Sequence, residues 1–361
     1  MGLEEVEWEE CLLELRRDPQ LEREITRQGG RVQGSAHYFG AIPWFVRAIA
    51  ELQRSSFSSF SLPDRMVDQI GLLVSRDNSC RYCFAYQRLI LRTLGIPEDW
   101  IQRAEDDLLL AQMSREHRAL LDFARAISRA NPLPTVDQLG DLAELGVERL
   151  QVQESAAAAA FMIFFNRVST IPALPPGRAE SLPDRFVVRL LRPIAARYAR
   201  RIIGRWKPRT ALPVESGGVF ASVVGGLAGL PHASALRGAL DGMVASDVLP
   251  TRTKALIFAV VARGVGSEVT EAEARRWCAA GGMEAAQIDS ALAHLADPAL
   301  DAVESLALPL ARDSVRYQPA DIQRKARTLR DAVTEVQFAE LIATVSLANA
   351  VTRLGMLAVP T

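Results

Sequence analysis

Two of the chain's four cysteines stand three residues apart, in Ser79-Cys80-Arg81-Tyr82-Cys83-Phe84-Ala85-Tyr86-Gln87. On a helix, positions i and i+3 share a face, so the two thiols would stand together and could cycle between dithiol and disulfide. Asp77-Asn78-Ser79 supplies three residues that cap helices well, the apolar Leu89, Ile90 and Leu94 follow at helical spacing, and Gly95-Ile96-Pro97 ends the pattern. This predicts both thiols in a helix's first turn. Unpaired N–H groups and the helix dipole favour a thiolate there, so both pKa values are expected below the free value of about 8.5. The alternative is a pair of inert thiols in a core, against which stands the polar company of Asp77, Asn78, Arg81 and Gln87. A structural zinc would need four ligands, and Cys11 and Cys278 stand alone.

The elements that must position this stretch read as helices throughout. Val6, Cys11, Leu12 and Leu15 at helical spacing predict an amphipathic opening helix over residues 3 to 26, with Cys11 as packing. Gly29-Gly30 and Gly34-Ser35 read as a linker that carries a lone loop histidine, His37. Further helices are predicted from Pro43, over 62 to 76, through the CxxC stretch, from Pro97, and near 114 to 130, 135 to 145 and 148 to 168. The last is apolar on every side and should be central. Aromatic residues are only 6% of the chain and no convincing alternating strand occurs, so the fold class is all-α.

The Leu62-Pro63-Asp64-Arg65 helix start, an acid in that helix, Ser-Cys-x-Tyr-Cys, and a polar residue four positions later resemble the alkylhydroperoxidase D and carboxymuconolactone decarboxylase family. Its members are small and all-helical. The peroxidase branch has a Glu twelve residues before the first Cys and a His four after the second, where this sequence has Asp68 and Gln87. Asp68 keeps a carboxylate on a shorter arm, whereas Gln87 cannot take a proton near neutral pH. The resemblance implies that Cys83 attacks a hydroperoxide and becomes a sulfenic acid, and that Cys80 resolves it as a disulfide. A dithiol donor such as lipoamide or a thioredoxin-like protein then reduces it. Asp68 and Gln87 would orient a water or the thiol, Tyr82 would be a hydroxyl donor, no cofactor would be needed, and the chain would form a homo-oligomer. The decarboxylase branch implies instead a lyase with no redox cycle, and a third class is a non-catalytic helical scaffold.

Internal repetition divides the chain. Leu62-Pro63-Asp64-Arg65 returns as Leu249-Pro250-Thr251-Arg252, and Asn166-Arg167-Val168-Ser169 as Asn349-Ala350-Val351-Thr352. Two tandem units of an alkylhydroperoxidase D-like bundle are therefore expected, 43–180 and 216–361, after an N-terminal helix and linker over 1–42. The chemistry is not repeated. Cys80, Cys83, Gln87 and Asp68 fall on Ser267, Thr270, Ala274 and Ala255, and Cys278 reads as core.

Between the units, 181–215 is basic, with Phe186, Leu190, Ile194, Tyr198, Ile202 and Trp206 repeating every four residues among arginines. A helix packed between the units is expected. The alternatives are contact with an anionic membrane or an acidic partner through Arg185, Arg189, Arg197 and Arg201. The net charge of −1 argues against a nucleic-acid partner for the whole chain, and the few cysteines and acidic start fit a cytoplasmic protein. Of the remaining histidines only His117 lies in the CxxC unit, where it is the candidate substitute for the missing base.

Overall fold

The computed structural model describes residues 3, 6–32, 34–56, 59, 61–63, 65–106, 111–176, 217–295, 297–316 and 318–358. Among them every regular element is a helix, as the composition and spacing predict. After α1 (Pro19–Arg27), the first half runs α2 (Pro43–Ser56), α3 (Met66–Asp77), α4 (Arg81–Leu94), α5 (Glu98–Asp106), α6 (Arg115–Arg129), α7 (Val136–Glu144) and α8 (Arg149–Thr170). The second half begins with the short α9 (Ala221–Gly225). It continues with α10 (Pro231–Ala245), α11 (Thr251–Val265), α12 (Glu268–Ala280), α13 (Ala285–His294), α14 (Ala302–Asp313), α15 (Pro319–Ala332) and α16 (Glu335–Leu354).

From α2 and from α10 the same succession of seven helices follows, and the same pairs touch. α3 packs on α4, α6 and α8, as α11 packs on α12, α14 and α16. Capping boxes start the long last helix of each half, Glu148 with Gln151 and Thr334 with Gln337. These boxes stand 186 residues apart, one helical turn from the spacing of the Asn166 and Asn349 motifs. Both helices are apolar on nearly every side and so run through the interior, packed on one another. Each half also reaches into the other with a wholly buried arginine: Arg167 Nη2 donates to Arg316 O (3.4 Å) and Arg353 Nε to Ser128 O (3.3 Å). α2 packs on α10 beside this contact, and the Trp44 indole donates to Glu340 on α16 at 2.9 Å.

One expected element is corrected. Residues 7–17 are not helical; α1 starts only at Pro19, capped by the Asp18 carboxylate. The segment instead lies along both halves, with Leu12 N–H donating to Pro172 O (2.9 Å), Trp8 Nε1 to Leu174 O (3.0 Å) and Glu9 N–H to the Gln323 side chain (2.9 Å). Backbone groups bonded outward in this way are not available for an i to i−4 ladder. Cys11 is half-buried against the core. The expected basic helix, with Arg185, Arg189, Arg197 and Arg201, lies outside the described residues. No helix among the described residues is long and apolar enough to cross a membrane.

Candidate active site

α3 ends at Asp77, and only Asn78 and Ser79 separate it from Cys80. Buried Asn78 ties the connection down, its Nδ2 donating to Val74 O (2.7 Å) and Ser128 Oγ (2.8 Å). Ser79 turns the chain with φ +49°, and Cys80 N–H then closes on Ser75 O at 3.0 Å. Cys80 itself is the N-cap of α4, and its sulfur accepts the Cys83 N–H at 3.4 Å. This corrects the expectation that both thiols sit in the first turn under an Asx or Ser cap. Asn78 is spent on α3, so the first thiol does the capping and only Cys83 is helical.

The two thiols are consequently unlike. Cys80 is 0% exposed, with the carbonyl of Asn166 at 3.9 Å from its sulfur. Cys83, 6% exposed, lines a pocket of about 90 Å³ and places its sulfur 3.7 Å from Ser169 Oγ. Burial pushes the Cys80 thiol up, but hydrogen bonds from Cys83 and Thr170 and the Arg167 charge outweigh it, so its pKa falls below the ordinary thiol value. Burial, the Cys80 hydrogen bond and the Cys80 charge push Cys83 well above it, against the pull of Ser169 and Arg167. The pair thus holds one proton, on the pocket-facing sulfur. The expectation of two lowered thiols is corrected: within one small buried volume, ionising the first opposes ionising the second.

The pocket brings the other predicted residues together. Asp68 from α3, and Tyr82 and Gln87 from α4, line it with Cys83. Burial pushes the Asp68 carboxyl up to about 6, against the pull of Arg65. Burial also raises the Tyr82 phenol, whose hydroxyl bonds Ser35. Gln87 is buried beside Met162 Sδ (4.0 Å), and its Oε1 has no hydrogen-bond partner among the described residues. It fits there because position 71 is glycine: a Cβ on Gly71 would stand 2.8 Å from Gln87 Cδ. Val67, Ile90, Ala158, Met162 and Phe165 form the apolar wall, and Tyr86, 41% exposed, stands at the rim.

His117 does not join this group. Its Nε2 lies 2.7 Å from Gln69 Oε1, and it is not among the residues lining the pocket. Sequence reasoning missed Ser169 and Arg167 as site residues. Both lie in the repeated Asn166–Ser169 stretch, which is therefore a signal of position, though nothing in it announces a thiol partner. Among the described residues no three His, Cys, Asp or Glu side chains are grouped to hold a metal. No family model matches the chain, nor does any curated protein or solved structure.

Proposed function

We propose that the chain is a thiol-dependent oxidoreductase of the alkylhydroperoxidase D type, built from two copies of one helical unit of which the first carries the chemistry. The observation that carries this is the asymmetric pair: Cys83 faces a pocket shared with Asp68, Tyr82 and Gln87, while Cys80 lies behind it, hydrogen-bonded and favoured as thiolate. Support for the two copies comes from the repeated succession of helices and of helix contacts.

In the first step the Cys83 sulfur attacks the terminal oxygen of a hydroperoxide ROOH. The O–O bond breaks, the sulfur keeps that oxygen as a sulfenic acid, and the proton lost by Cys83 ends on the alkoxide, which leaves as ROH. Cys80, bonded to Cys83 through the shared proton, is placed to accept it, and Asp68 in the same pocket is placed to hand one to the leaving oxygen. Cys80 thiolate then attacks the oxidised sulfur, the S–S bond forms, and hydroxide leaves and is protonated to water. A dithiol returns the pair by exchange, so two electrons pass from dithiol to hydroperoxide.

Gln87 holds a hydrogen bond but takes no proton, so turnover should be slow. The test is hydroperoxide consumption by the parent, Gln87→His and Cys83→Ser, with accessible thiols counted before and after. General-base help is typically worth about 10² to 10⁴ in rate, so Gln87→His should gain up to about 10²-fold and Cys83→Ser should be inert. A parent whose thiols stay reduced under hydroperoxide would sink the reading.

A further inference from the structure

α8 runs its last two turns past both thiols. The Asn166 carbonyl lies 3.9 Å from Cys80 Sγ and the Ser169 hydroxyl 3.7 Å from Cys83 Sγ. Between these two residues in the chain sits Arg167, wholly buried, with Nη2 donating to the main-chain oxygen of Arg316 in the second half at 3.4 Å. A guanidinium at this depth keeps its charge, because arginine does not give up its proton in proteins, and a buried charge needs anionic or strongly polar neighbours. We propose that Arg167 is the cation that holds the Cys80/Cys83 pair in its thiolate form, and that the second half completes the site by gripping this guanidinium from behind.

The proposal rests on the thiol reading of the site but not on hydroperoxide as its substrate. Arg167 favours the ionised form of both sulfurs. The titratable groups that share the pocket with Cys83 are Asp68 on α3 and Tyr82 and Tyr86 on α4, and none of them is a cation. Arg167 acts on the sulfurs from the side away from the pocket, so it is a positioning residue and does not meet substrate. The second half offers an internal control. Arg353, equally buried, donates to Ser128 O in the first half and to Asn349 and Val315 in its own. The helix start of that half carries Ser267 and Thr270, so the same device stands where nothing ionises.

The experiment is a pH titration of thiolate ultraviolet absorbance on the full chain, with circular dichroism as the check on folding. Arg167→Met should raise the thiolate transition by about one pH unit, which is about tenfold less thiolate well below the transition. Arg167→Lys, which keeps a positive charge, should restore most of it. Arg353→Met should lower stability and leave the titration alone. An unmoved titration in folded Arg167→Met, or an equal shift in Arg353→Met, overturns the proposal. Should Arg167→Met not fold, the change is repeated at pH 9 in a Cys80→Ser/Cys83→Ser background. Burying thiols that no cation helps to ionise costs stability at that pH, and serines remove the cost. Folding restored there upholds the pairing, and failure there too overturns it. A parent that ignores hydroperoxide but shows the Arg167 shift fails the proposed reaction and upholds this inference.

Discussion

The connections α3–α4 and α11–α12 do the same backbone work with different chemistry. Each turns through a left-handed residue, Ser79 in one and Gly266 in the other, and each starts its next helix on an extended N-cap, Cys80 or Ser267. Beyond the backbone they part. Gly71 leaves room for Gln87 and the pocket, whereas 187 residues on stands Phe258, stacked on Phe220 at 4.6 Å and edge-on to Trp277 at 5.8 Å. Where Ser169 meets Cys83, the second half has Gly355, packed so closely that a Cβ would stand 2.4 Å from Ser267 Oγ. A helix start is thus a property of the backbone, while a reactive site also needs thiols and a void beside them. The second half has the first without the other two.

The largest effect that could break this comparison comes from opening the filled side. Phe258→Ala removes a wholly buried ring from the aromatic cluster, and such truncations cost about 3 to 5 kcal/mol. Chemical denaturation should show that loss, while the thiolate titration of Cys80 and Cys83 stays in place. A titration that moves with Phe258→Ala would mean that the filled half tunes the site through more than the Arg167 contact.

Much of this frame was legible in the sequence, and the reasons for the remainder are physical. Helices at 43, 66, 98, 115, 136 and 149 follow from caps, prolines and spacing, which are local properties. The segment 7–17 carries a helical pattern, yet its backbone is bonded to residues more than 150 positions away, and no local pattern reports such partners. The same holds for the site. The pair Cys80 and Cys83 is visible in the chain, but which thiol caps the helix depends on Asn78 being drawn to Ser128. Ser169 and Arg167 reach the sulfurs only because α8 crosses α4.

A smaller and more selective effect separates the halves by pH. Burial pushes Asp68, in the first half, up to about 6, and pulls His232, in the second, down to about 4, with Glu154 opposing the latter. Each displacement is worth about 3 kcal/mol, and the signs are opposite. Asp68 favours folding below the unfolded carboxyl value, and that contribution is lost as pH rises through about 6. His232 favours folding above the unfolded imidazole value, and its contribution is lost as pH falls toward about 4. Relative to the parent, Asp68→Asn should therefore gain stability as pH rises from 4 to 7, and His232→Leu should gain it as pH falls over the same range. Urea midpoints at pH 4, 5, 6 and 7 check this, and variant curves parallel to the parent's would show that neither group is held as described.

The smallest effect lies in the connection itself. A non-glycine residue at left-handed φ costs about 1 to 2 kcal/mol, while glycine gives back about 0.5 to 1 through the freedom it adds to the unfolded chain. Ser79→Gly should accordingly stabilise the protein by up to about 1 kcal/mol. Gly266→Ser should destabilise it by a similar amount, since no other atom stands within 4 Å of a Cβ there and only the backbone term operates. Urea unfolding of the two variants side by side measures both signs. If both changes destabilise, the Ser79 side chain supports the turn and the strain argument fails. If Ser79→Gly stabilises but also slows alkylation of Cys83, the strained turn is what holds the Cys80 sulfur against the Cys83 amide. Stability and thiol reactivity would then pull this one residue in opposite directions, which is how strain persists at a reactive site.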